Sequence, residues 1–165
     1  MSLADIYTKG VITEQCVLLI TEVGRNLKEI LEKKVKLKLE GKCSKDGFCK
    51  PGSIQIITFS SGRIRNGDSV QFEVVLEGLF AHPVEGMLIE AQAKNVTKAG
   101  IRAVIKDVVP EPLVIFISRD HYHMNDYFQS IQEGDSIVVR VIGQRFELND
   151  PFISVIGELV KQRNE

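Results

Sequence analysis

Tryptophan is absent from this chain, and aromatic residues make up only 7% of its 165 positions. Single-stranded nucleic acid is gripped largely by stacking bases on aromatics, so this scarcity limits how tightly the chain can hold one. Cysteine is scarce as well. Cys16, Cys43 and Cys49 make an odd number, which argues against a disulfide framework. Cys43 and Cys49 are six apart with no histidine nearby, which excludes a zinc knuckle and leaves reduced, structural thiols. Long apolar runs are missing. Cys16 to Ile20 has the length of a strand, against the roughly 18 to 20 residues that cross a bilayer. No basic segment leads into an apolar core at the N-terminus, so the sequence predicts no secretory signal and an intracellular protein. Nor is there an excess of one charge. A net charge of -1 argues against a protein that holds duplex DNA by its phosphates.

What is present is globular: 44% hydrophobic and 26% charged residues. The length suits one ordinary domain or two small ones of about 80 residues each. Charge is uneven along it. Residues 1–83 hold 12 Lys and Arg against 10 Asp and Glu, whereas residues 84–165 hold 9 against 12.

Ile6 to Ile20 is rich in Val, Ile, Thr and Leu and reads as one long or broken strand. Leu27, Ile30, Leu31 and Val35 follow at helical spacing. From Val35 the period changes to two: Val35, Leu37 and Leu39 alternate with Lys36, Lys38 and Glu40, predicting a half-buried strand with a lysine face. Gly41 to Gly52 is loop-like and carries Phe48 in a polar setting. Ser53 to Phe59 and Ser69 to Leu79 read as strands, with Arg63 to Asp68 as a polar connection. His82 to Gly86 is the expected boundary. Beyond it lie strands at Met87 to Val96, Ile101 to Ile105 and Leu113 to Ser118. Asp120 to Ile131 is irregular with room for a helical turn. Two further strands flank Asn149-Asp150-Pro151, the first broken by Gly143. The pattern predicts an α+β N-terminal domain over 1–82, an antiparallel sheet with one helix. A five-stranded OB barrel follows over 83–165.

Catalytic signatures are missing. His121 and His123 could co-ligate a metal, but no third ligand is visible, so no metal, cofactor or hydrolase is expected. The acids Asp68, Asp120, Asp126, Asp135 and Asp150 sit at turns and cap backbone N–H groups. Neither a phosphate-binding glycine loop nor a Gly-x-Ser-x-Gly elbow occurs. On an OB barrel, strands one and two usually supply the nucleic-acid contacts. Here they offer Lys94, Asn95, Lys98, Ile101, Arg102 and Ala103: cations, but no aromatic. Tyr122, Tyr127 and Phe128 are the nearest candidates, and Phe116 is expected to face the core. Phe48 reads as an exposed loop aromatic, hence an anchor for a partner.

The order of these parts resembles the larger subunit of the two-subunit stalk of multisubunit RNA polymerases, a family of archaea, the eukaryotic nucleus and some large DNA viruses. The likeness runs from about Val17 to Leu159. It rests on Asn26-Leu27, on Glu40-Gly41-Lys42-Cys43 leading to Gly47-Phe48, and on Val84-Glu85-Gly86-Met87. Phe116-Ile117-Ser118, Ile142-Gly143-Gln144-Arg145 and Asn149-Asp150 complete it. The resemblance implies a non-catalytic subunit that docks on the polymerase core through its N-terminal tip, pairs with a small helical partner subunit, and places its barrel near the exiting single-stranded RNA. Carried over by position, Gly41, Lys45, Gly47 and Phe48 would dock on the core, and Lys94, Lys98, Arg102 and Tyr122 would face RNA. Family barrels often carry a strand-two aromatic where this chain has Ile101-Arg102-Ala103. The loop from Ser60 to Asp68 is compressed, which suits a viral or fast-diverging source. The location implied is the nucleus for a cellular protein, or the virion or host cell for a viral one. The competing expectation is a free-standing accessory protein that binds single-stranded RNA.

Overall fold

A computed structural model describes residues 6–121 and 126–160. The N-terminal half is organised by two long strands. β1 (Tyr7–Leu19) pairs antiparallel along its whole length with β6 (Ser69–Ala81), from Tyr7 opposite Ala81 to Leu19 opposite Ser69. The other edge of β6 is covered in succession by β3 (Gly47–Cys49), β4 (Gln55–Phe59) and β5 (Arg63–Arg65), and β2 (Cys43–Ser44) pairs with β3. Arg63 to Arg65, expected as connection, is thus a strand, since its backbone completes the edge of β6.

The helix α1 (Leu27–Leu39) lies across one face of this sheet. Leu31, Val35 and Leu39 recur every fourth residue and are buried against Cys16, Leu18, Phe72, Val74, Leu76 and Phe80. The strand expected from Val35 to Glu40 is therefore wrong: the helix continues to Leu39. Leu37, about 200° round the axis from Val35, is 76% exposed, so the two-residue alternation there carries no burial.

The second half is a closed barrel of β7 (Leu88–Val96), β8 (Gly100–Val104), β9 (Leu113–Ser118), β10 (Ser136–Arg145) and β11 (Ile153–Val160). The strands run β7-β8-β9-β11-β10 and back to β7, antiparallel except where β11 lies parallel to β9. That is the path of an OB barrel, and full closure leaves it no free edge. Gly143 does not break β10. It sits at a bulge where the register against β11 shifts between Val141 and Gly143. A single helical turn, α2 (Asp126–Ser130), joins β9 to β10 and drops Phe128 into the barrel core.

The segment expected to project as a tip does not project. Cys43, Phe48 and Ala81 pack with Ile89, Ile115, Val139, Ile153 and the rest of the barrel core. Phe48 is 0% exposed. The reason is covalent geometry at Gly47: with φ at 112°, it brings the β3 backbone against the end of β6, where a Cβ would strike the Ala81 carbonyl. The turn between β10 and β11 then clasps the hairpin. Cys43 N–H donates to the Asp150 carbonyl at 2.8 Å and Asn149 N–H donates to the Cys43 carbonyl at 2.8 Å. Sheet and barrel are joined by this seam as well as by the Ala81-to-Leu88 connection.

Candidate nucleic-acid interface

The barrel surface follows from strand alternation. On β8, Ile101 and Ala103 point inward and are fully buried; on β9, Leu113, Ile115 and Ile117 do the same. Arg102 and Phe116 therefore point outward. Phe116 is 41% exposed, which corrects the expectation that it faces the core. Three β9 residues already fill the interior, and the aromatic falls on the opposite phase. The ladders place these outward residues in one row: Asn95 opposite Arg102, Arg102 opposite Phe116, and Phe116 opposite Ile156. Ile156 is also exposed, so the row joins an arginine to an aromatic and an aliphatic surface.

Gly100 seats the ring. A Cβ there would strike the Ile117 carbonyl and come within 3.2 Å of Phe116 Cζ. The absent side chain lets Phe116 lie over the start of β8, two residues after Lys98. Lys98 is exposed in the β7–β8 turn. Arg119 positions that turn. Its Nη2 donates to the Thr97 carbonyl at 2.7 Å, while its guanidinium lies 5.1 Å from the Phe128 ring centre. Sequence reasoning missed Arg119, because no motif or period marks a contact between a turn and a helix 22 and 9 residues away in the chain.

Of the residues expected to face RNA, Arg102 stands opposite Phe116 and Lys98 is exposed in the turn that leads into β8. Lys94 is engaged elsewhere, with Nζ 2.7 Å from Glu111 Oε1. Tyr122 lies outside the described residues, as do His123 and the side chain of His121. Two more barrel cations are paired: Arg140 with Glu158 at 2.9 Å and Arg145 with Glu147 at 3.7 Å. Tyr127 is half-buried and packs on the barrel core. Among the described residues, no group of three or more His, Cys, Asp or Glu is arranged to hold a metal.

Of the residues expected to dock on a polymerase core, Gly47 and Phe48 are buried, Gly41 is half-buried and Lys45 alone is exposed. Of the exposed large aliphatics of the N-terminal half, Val11, Val17, Leu37 and Ile57 are spread over β1, α1 and β4. Leu19, Ile20, Val23 and Ile64 are all exposed at the end of the β1–β6 ladder opposite the barrel. The Ile20 N–H donates to the Asp68 carbonyl at 2.9 Å and closes that end.

The chain is thus a helix-backed antiparallel sheet followed by an OB barrel, with an outward arginine–aromatic row on the barrel. No protein-family model matches the chain. It is similar to DNA-directed RNA polymerase II subunit 7 of Arabidopsis thaliana, at 30% identity over 156 residues, covering 82% of this chain and 88% of that protein. The chain belongs to the family of that polymerase subunit.

Proposed function

We propose that the chain is a non-catalytic subunit of a DNA-directed RNA polymerase: the larger, barrel-bearing member of a two-subunit stalk. The observation that carries this reading is the similarity to a polymerase subunit over 88% of that protein's length, so that both sheet and barrel are included. The N-terminal half docks on the polymerase core. Its free end, with Leu19, Ile20, Val23 and Ile64, offers the apolar surface that such docking buries. Gly47 and Phe48 serve the docking indirectly, by holding the barrel to the sheet, and Lys45 remains open to a partner. A small helical subunit completes the stalk. The barrel lies beside the exiting transcript and touches it through Phe116, Arg102 and Lys98.

Binding to RNA by the isolated chain is weak in this account. Phe116, the exposed large aromatic of the described barrel residues, provides one stacking platform, on the order of 1–3 kcal/mol, and few cations of the described barrel residues are free of an ion pair. The test is association with the polymerase core by affinity purification of the tagged chain. Leu19→Asp with Ile64→Asp should abolish co-purification while leaving the far-ultraviolet spectrum unchanged. Unchanged association of that variant would remove the docking assignment. Absence of the polymerase from the wild-type eluate would remove the function itself.

A further inference from the structure

β1 is an edge strand of the N-terminal sheet. Among the described residues no strand pairs with its outer side, while β6 takes the inner side over its whole length. The other edge strands are short: β2, β4 and β5 hold two, five and three residues. The barrel is closed. A long edge presents a row of backbone donors and acceptors that invites another strand. Folded proteins guard such edges with proline, with bulges or with charges that project past them. β1 lacks these guards. It contains no proline, and its register against β6 runs without a shift. Its two charged side chains turn inward. Lys9 reaches Glu77 of β6 at 3.1 Å, and Glu14 reaches Lys38 of α1 at 2.8 Å.

We propose that β1 pairs antiparallel with β1 of a second copy of this chain, joining two sheets into one. A twofold axis perpendicular to the sheet keeps every side chain on its own face, so the axis passes through a residue. With the axis at Thr13, the stretch from Thr8 to Leu18 overlaps completely. Val11 then lies opposite Gln15 of the second copy and Lys9 opposite Val17. Thr13 meets itself, a favourable threonine pair. No like charges face each other in this register. An axis at Glu14 would set two carboxylates opposite each other, which is unfavourable. An axis at Ile12 would leave Leu18 with no residue of β1 to face. The two copies of α1 fall on the same side of the joined sheet. Lys34 and Lys38 do not oppose this, since Glu22 holds the first at 3.3 Å and Glu14 the second. An edge whose charges are already neutralised within the chain is complementary to itself, and this favours a second copy as the occupant. The inference goes beyond the stalk reading and does not depend on it, since the edge belongs to this chain alone.

The experiment is sedimentation velocity of the purified full-length chain over a range of concentrations. The mass should rise from 18.5 kDa toward twice that value as concentration increases. Val11→Lys with Gln15→Lys is the decisive variant. Within one chain each new lysine lies opposite a glutamate, Glu77 or Glu73, so the fold keeps its stability. Across the axis lysine meets lysine twice, and the dissociation constant should rise about tenfold. Val11→Lys with Gln15→Glu sets opposite charges there and should restore the dimer. Hydrogen exchange supplies an independent readout: alternate amides between Thr8 and Leu18 should gain protection as the dimer forms. A chain that stays monomeric at its highest soluble concentration would overturn the proposal and leave the edge to a strand of another protein. So would a dimer that tolerates the double lysine variant, or one in which protection grows at Leu19, Ile20 and Val23 instead of along β1. A dimer weakened equally by both variants would overturn the register at Thr13.

Discussion

At the scale of the residue, four side chains decide the account. Phe48 is a core residue in a segment whose composition reads as a loop. Glycine, lysine and serine around it hide the fact that Gly47 lets β3 press against Ala81. Phe48→Ala should cost about 3–5 kcal/mol, as large aromatic truncations in cores do, and urea unfolding should report it. A cost under about 1 kcal/mol would contradict the burial. Phe116 is the reverse case, an aromatic inside an apolar run that sits outside the barrel. Phe116→Ala should therefore leave stability nearly unchanged and weaken binding of a short oligouridylate by roughly five- to 150-fold, read by fluorescence anisotropy at low salt. The cysteines carry a prediction in pH. Burial pushes the Cys43 and Cys49 thiols from 9.0 up to about 11; the charges of Asp150 and Glu40 respectively add to the rise, and a Ser53 hydrogen bond partly offsets it at Cys49. A thiol whose folded value is raised contributes stability that is fully present below the unfolded value and is lost as pH climbs through the folded one. The wild type should thus lose stability between about pH 9 and pH 11 more steeply than the Cys43→Ser, Cys49→Ser double variant, measured by urea midpoint.

At the scale of the element, the strands were largely legible and the end of the helix was not. Alternation along β1, β6 and the barrel strands is strong, because each presents one face to a core and one to water. The sequence Val35 to Leu39 satisfies two periods at once, and only the sheet decides between them: it offers the row Cys16, Leu18, Phe72 and Val74 for a fourfold stripe to cover. Leu37 and Leu39 separate the alternatives. In the helix, Leu39→Ala should cost about 2–5 kcal/mol and Leu37→Ala close to nothing, whereas a strand would make the two alike. Gly143 taught a similar lesson. A glycine inside alternation reads as a break, but a bulge keeps the ladder going on both sides of it. The outward row of Arg102 and Phe116 was half legible. The cation was seen from its strand, while the aromatic required the register between β8 and β9.

At the scale of the whole molecule, the order of the parts could be read from the chain, and the way they are joined could not. Residues far apart in sequence make the seam: Cys43 bonds to the backbone at Asn149 and Asp150, and Phe48 enters a core built mostly from residues after Met87. No local pattern announces such a contact. The seam occupies one end of the N-terminal half, and Leu19, Ile20, Val23 and Ile64 are exposed at the other. The layout is thus an exposed apolar end, which the proposed function assigns to docking, a clasped middle, and a barrel with Phe116 outward. That layout suits a protein whose affinity for RNA is supplied mainly by the assembly it joins. The most direct measurement is size-exclusion chromatography of tagged protein recovered from its own cells under mild salt. The account predicts that the chain elutes with the large subunits of a DNA-directed RNA polymerase and that Leu19→Asp with Ile64→Asp moves it to the free fraction. Recovery of the wild-type chain wholly as a free 18.5 kDa species, with no polymerase subunit beside it, would contradict it.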